Sequence, residues 1–61
     1  MTQIEELREQ LGKLKARKRE YQEKMKTAPA TEKPEISLKI RSLGAAITSV
    51  QEQLNYLDPP A

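Results

Sequence analysis

The fold of this chain is decided by its central segment, Thr27-Ala28-Pro29-Ala30-Thr31-Glu32-Lys33-Pro34. Both prolines lack the backbone N–H that a helix uses, and each disfavours the helical conformation in the residue before it. A helix therefore has to end before Pro29, whereas Pro34 can open a new helix because a missing donor costs nothing in a first turn. The segment predicts a connecting loop at 28–33 between two helices.

The residues before this loop show the a/d pattern of a helix that packs along one seam, with steps of three and four. The seam positions are Ile4, Leu7, Leu11, Leu14, Lys18, Tyr21 and Met25. Thr2 with Glu5 three residues later fits a capping box, so the first helix is predicted at about 2–27. Lys18 is the polar member, and we expect its stem to lie on Leu43 while its ammonium group reaches water.

The residues after the loop repeat the pattern in steps of four and three. These seam positions are Ile36, Ile40, Leu43, Ile47, Val50, Leu54 and Leu57. Asp58-Pro59-Pro60 ends the periodicity, since proline cannot continue a helix. A second helix is predicted at about 34–57, with a C-terminal tail at 58–61.

The two seams match each other when the chain is folded back at the loop. Every seam residue meets a seam residue when paired positions sum to 61, from Met25 with Ile36 to Ile4 with Leu57. A short loop also requires antiparallel neighbours. The sequence therefore predicts a single all-α domain, 1–61, folded as an antiparallel two-helix coiled-coil hairpin. Gly12 falls opposite Ser49 in this register, which predicts a close approach of the two backbones there.

Composition argues against catalysis. The chain has no cysteine and no histidine, so it lacks a disulfide, the usual zinc ligands and the usual general base near neutral pH. We predict a protein that is not an enzyme, with no catalytic residues, metal or cofactor. The longest uncharged stretch, Ser42 to Gln51, is too short to span a bilayer, and no signal pattern opens the chain. A cytoplasmic protein is the expectation.

The off-seam surfaces of the two helices differ. Helix 1 is dense in charge, whereas the middle of helix 2 has none, although a surface helix usually carries charges opposite its apolar stripe. The predicted partner-binding positions are Leu38, Ser42, Ala45, Ala46, Ser49 and Tyr56, with the edge formed by Ile4, Leu7 and Leu11 as a second candidate. This face could bind another protein or a second copy of the chain, and a homodimer is one expectation for the protein in isolation. The alternative is that these are ordinary tolerated surface residues.

A basic run, Lys13-Leu14-Lys15-Ala16-Arg17-Lys18-Arg19, offers a different function. Such a run could contact phosphates in a salt-dependent way, and a dimeric helical hairpin that regulates RNA or DNA is the alternative hypothesis. The balance of 11 basic against 9 acidic residues, net +2, gives that hypothesis little support. No aromatic residue lies within the run, and a solvated helix face is the favoured interpretation.

Three features resemble a known family. They are the opening Met1-Thr2-Gln3-Ile4-Glu5-Glu6, the two-helix layout, and a second helix rich in small residues, Arg41-Ser42-Leu43-Gly44-Ala45-Ala46-Ile47, followed by Tyr56. In these features the chain resembles the small co-chaperones of type III secretion systems, although its proline-marked loop departs from their pattern. The resemblance implies a partner, a larger helical-repeat (TPR-like) chaperone, and through it a needle subunit that is kept unpolymerised in the cytoplasm.

Overall fold

The computed structural model describes residues 2–59, and in them the chain forms two antiparallel helices that pack against each other. Helix α1 spans Gln3–Thr27 and helix α2 spans Lys33–Leu57, with 25 residues each. The predicted all-α hairpin is confirmed, and the predicted helix bounds agree to within one residue. The predicted tail at 58–61 begins after α2, but its residues 60 and 61, like residue 1, lie outside the described part of the chain.

Local chemistry fixes each end of α1. Thr2 caps the N-terminus because its Oγ1 accepts a hydrogen bond from the Glu5 backbone N–H at 3.2 Å, one half of the predicted capping box. At the other end Ala28 takes an extended conformation (φ −71°, ψ 143°). This is the conformation that a following proline favours, so Pro29 stops the helix.

The connecting turn leads directly into α2. The backbone N–H groups of Glu32 and Lys33 donate to the Pro29 carbonyl oxygen at 3.0 and 3.3 Å. Pro34 lies in the first turn of α2, where its lack of a donor is harmless. Helix α2 ends where the Asp58 N–H donates to the Leu54 carbonyl oxygen at 2.7 Å and Pro59 follows.

The core between the helices is small. Leu7 and Leu54 are the buried residues of the described range, with 7% and 6% of their surface exposed, and their numbers sum to 61 as the predicted register requires. The other seam residues are half-buried except Leu57, which is 39% exposed near the end of α2. The hairpin is also long, with extents of 42 × 18 × 17 Å and a radius of gyration of 14.1 Å, against about 10.5 Å for a compact chain of this size.

The lysine in the seam is accommodated by a glycine. A Cβ atom built on Gly44 would lie 3.8 Å from Lys18 Nζ. The ammonium group therefore lies beside the backbone of α2 at Gly44, which has no side chain. Nearby, Lys24 Nζ and Lys39 Nζ lie 5.3 and 5.4 Å from the Tyr21 ring centroid, within the range of cation–π attraction.

The predicted close approach at Gly12 is wrong. A Cβ atom on Gly12 would meet nothing within 4 Å, and the residue is exposed. Gly12 lies off the seam and faces solvent. Gly44 is half-buried, and the space in front of it is in ordinary contact distance of the Lys18 side chain of α1.

Candidate docking surface on the outer side of helix α2

The outer side of α2 carries a regular stripe that faces away from α1. Its positions follow steps of four and three, as one face of a helix requires. We call it the outer stripe, and it consists of Leu38, Ser42, Ala45, Ser49, Glu52 and Tyr56. All six residues are exposed.

Two large apolar side chains stand near the ends of the outer stripe. Leu38 is 63% exposed and Tyr56 is 87% exposed. Between them lie Ala45 and Ser49, whose short side chains project little from the helix. The stripe therefore has two projecting anchors 18 residues apart, about 27 Å along the helix axis, with room between them for an approaching backbone.

A groove adjoins the Tyr56 end of the stripe. It is an open cleft of about 470 Å³, and its lining residues are Gln3, Ser49, Glu52, Gln53, Tyr56 and Leu57. The partly exposed Leu57 gives this groove an apolar floor beside the Tyr56 ring. Sequence reasoning did not name Gln3, Glu52 or Gln53, although the step of three from Ser49 points to Glu52 and the register places Gln3 beside Leu57.

The predicted docking residues separate into two groups. Leu38, Ser42, Ala45, Ser49 and Tyr56 lie together on the exposed outer side of α2, whereas Ala46 is half-buried on the flank toward α1.

The second candidate edge is occupied by the hairpin itself. Leu7 is buried, and Ile4 and Leu11 are half-buried in the seam against α2. Their apolar surface is used to hold the two helices together, so these three residues offer a partner little of it. The structure therefore leaves the outer stripe as the candidate docking surface.

The basic run of α1 does not form one continuous face. Lys13 and Arg17 line a shallow groove with Glu20, while Lys15 and Arg19 lie roughly 160° away around the helix. Lys13 also pairs with Glu9 at 3.5 Å, and Lys18 is half-buried in the seam. A phosphate backbone could not meet all five cations at once, so this arrangement does not favour nucleic-acid binding.

Residues 2–59 offer neither a metal site nor a membrane-spanning helix. No group of three or more Asp or Glu side chains there comes together in a way that could hold a metal ion. Neither α1 nor α2 combines the length and the apolar character needed to cross a membrane.

Comparison with known proteins adds no relative. No protein-family model, no curated protein and no solved structure matches this chain.

Proposed function

We propose that this protein is a binding protein without catalytic activity, a cytoplasmic co-chaperone that docks on a larger helical chaperone. In that complex it helps to keep a type III secretion needle subunit soluble and unpolymerised. The observation that carries the proposal is the outer stripe, which leaves Leu38 and Tyr56 exposed on a helix with no charge from Ser42 to Gln51. The resemblance in residues 1–6 and 41–47 supports the choice of partner.

The shape of the stripe suits a helical-repeat partner. Such proteins stack helix pairs into extended concave surfaces, and an amphipathic helix binds such a groove through anchors at one helical face. Leu38 and Tyr56 supply anchors near the two ends, and Ala45 and Ser49 allow the partner's helices to come close. Docking would also bury apolar surface that this small hairpin cannot bury alone.

The test is co-expression with a TPR-like needle chaperone and its needle subunit, followed by purification on a tag attached to this chain. We expect a ternary complex in which the needle subunit stays in the supernatant after centrifugation. Ala45→Glu should abolish the complex, because it places an unpaired carboxylate in the middle of the stripe.

A matched control is available on the other helix. Ala16 is exposed on α1, so Ala16→Glu makes the same chemical change outside the proposed surface and should leave the complex intact. A complex that survives Ala45→Glu, or is lost equally with Ala16→Glu, would contradict docking through the outer stripe.

A further inference from the structure

The outer stripe has a symmetry that points to a particular occupant. Its steps along α2 are four, three, four, three and four, so each position i has a counterpart at 94 − i: Leu38 with Tyr56, Ser42 with Glu52, and Ala45 with Ser49. A twofold axis at the level of residue 47 therefore maps the stripe onto itself. We propose that the outer stripe binds a second copy of this chain, with the two α2 helices antiparallel.

The side chains complement each other in this pairing. Leu38 of one copy meets Tyr56 of the other, which covers the two most exposed large apolar residues of the described chain at both ends. Ala45 meets Ser49 of the other copy in the middle, where two small residues let the helix axes approach to about 8 Å. Large side chains thus lie where the helices can splay and small ones lie where they cross.

The charges along one edge of the interface also complement each other. Arg41 and Glu52 lie on the same flank of α2, and no ion pair within residues 2–59 uses either of them. They are 11 residues apart, about 16.5 Å along the axis, so they cannot pair within one helix. In the antiparallel dimer Arg41 of each copy lies beside Glu52 of the other, and two symmetric ion pairs form.

The same flank argument selects the orientation. In a parallel pair the twofold axis runs along the helices, so the flank with Arg41 and Glu52 would face the flank with Ser42 and Gln53 of the other copy, and neither ion pair could form. On the opposite flank, the antiparallel pairing brings Ser42 beside Gln53 of the other copy, within reach of a hydrogen bond. Each side of the stripe therefore favours the antiparallel dimer.

The interface is small. One helical face about 27 Å long on each copy buries about 1,000 Å² in total, the lower end for a specific interface. We therefore expect a weak, reversible dimer. The second copy binds the same face as the larger chaperone of the proposed function. If that function holds, on which this step rests, the dimer is the form of the free protein and exchanges for the complex with the chaperone.

The first experiment is sedimentation equilibrium of the full chain alone, with a charge exchange. Arg41→Glu and Glu52→Arg should each abolish the dimer, because each homodimer then contains only like-charged pairs. An equimolar mixture of the two variants should restore it, since the mixed dimer again contains two ion pairs, one in the wild-type order and one with its signs reversed. Circular dichroism should show unchanged helix content, because both residues are exposed.

Arg19→Glu is the matched control, since it makes the same change on exposed α1 and should leave the dimer intact. A wild-type chain that stays monomeric to about millimolar concentration, or variants that fail to restore association when mixed, would overturn the proposal. Neither result bears on docking to the chaperone, which the ternary complex tests separately.

The second experiment tests the orientation by disulfide formation. The chain has no cysteine, so Ala45→Cys and Ser49→Cys chains can be mixed in equal amounts, oxidised and distinguished by mass. A disulfide needs a Cα–Cα separation of about 4.4–6.8 Å, and an antiparallel dimer brings these two positions that close. The yield of the mixed disulfide should therefore exceed that of either homodisulfide. A dominant Ala45→Cys homodisulfide would show a parallel arrangement and refute the antiparallel dimer.

Discussion

The outer sides of the two helices differ far more than their inner sides do. Both helices have 25 residues and both contribute seven seam positions to the hairpin. Yet α1 contains thirteen charged residues, while α2 contains five, namely Lys33, Glu35, Lys39, Arg41 and Glu52. On α1 some of these charges pair locally, as in Lys13–Glu9 at 3.5 Å and Lys26–Glu23 at 3.3 Å.

This difference is not required by the hairpin, because neither outer side contributes to the seam. A charged outer side such as that of α1 is well solvated without any partner. The outer stripe of α2 instead leaves the large apolar side chains of Leu38 and Tyr56 exposed to water near its two ends, on a helix without charge from Ser42 to Gln51. The comparison therefore separates residues that make the hairpin from exposed residues that the hairpin does not use, which are the ones we propose as a docking surface.

The largest expected effect sharpens that separation within α2. Leu54→Ala should lower the free energy of unfolding by about 2–5 kcal/mol, because it removes a buried side chain and leaves a cavity. Leu38→Ala makes the same change on the outer stripe and should alter it by less than about 0.5 kcal/mol. Urea denaturation followed by circular dichroism, on dilute monomeric protein, measures both.

Equal losses from the two leucine variants would break the comparison. They would mean that the outer stripe of α2 already stabilises the isolated chain, so that Leu38 is not free to contact another molecule.

Much of the hairpin could be predicted because it depends on periodicity and on proline. The a/d steps fix which residues face inward, and Pro29 and Pro34 fix where the helices end and begin. The two buried residues, Leu7 and Leu54, also agree with the predicted register, since their numbers sum to 61. These features depend on local chemistry and on counting, both of which a sequence contains.

Distances across the seam could not be predicted. Periodicity gives the direction of a residue but not the space in front of it, so a close approach of the backbones was expected at Gly12, where a Cβ atom would meet nothing within 4 Å. The placement of Lys18 Nζ beside Gly44 depends on the path of a flexible side chain.

The candidate surface was predicted only in part, for a related reason. Ile4, Leu7 and Leu11 were assigned both to the seam and to a docking edge, and their burial in the hairpin leaves them little surface for the second role. Apolar character alone does not say which neighbour an apolar residue meets.

The two helix-interior glycines give a smaller effect that compares the helices directly. Gly12→Ala should raise the free energy of unfolding by about 1 kcal/mol, because alanine favours the helix and its Cβ would meet nothing within 4 Å. Gly44→Ala should gain the same or less, because its Cβ would displace water from the Lys18 ammonium group. Denaturant unfolding of both variants provides the comparison.

A second pair of variants without the charge of Lys18 tests whether its ammonium group causes any difference between the two glycines. In Lys18→Met, the gain from Gly44→Ala should equal that from Gly12→Ala. A net loss of stability at Gly12 would contradict the open surface found there and, with it, the solvated character of the outer side of α1.

The smallest effect concerns the ion pair that joins the charged side of α1 to the end of α2. Arg8 Nη2 lies 2.7 Å from Asp58 Oδ2, and the two side chains are 62% and 49% exposed. Exposed pairs of this kind contribute about 0.2–1 kcal/mol.

Single variants would not measure this contribution correctly. Asp58 lies at the C-terminus of α2, where a negative charge is unfavourable, so Asp58→Asn removes that cost at the same time as it breaks the pair. A double-mutant cycle with Arg8→Ala and Asp58→Asn removes such separate contributions and leaves the coupling alone. We expect a coupling that fades at about 1 M salt, where the Debye length is about 3 Å. If the coupling is absent at low salt as well, then Arg8 is a solvated group like its neighbours and this ion pair does not help the seam to join the two helices, which sharpens the contrast between their outer sides.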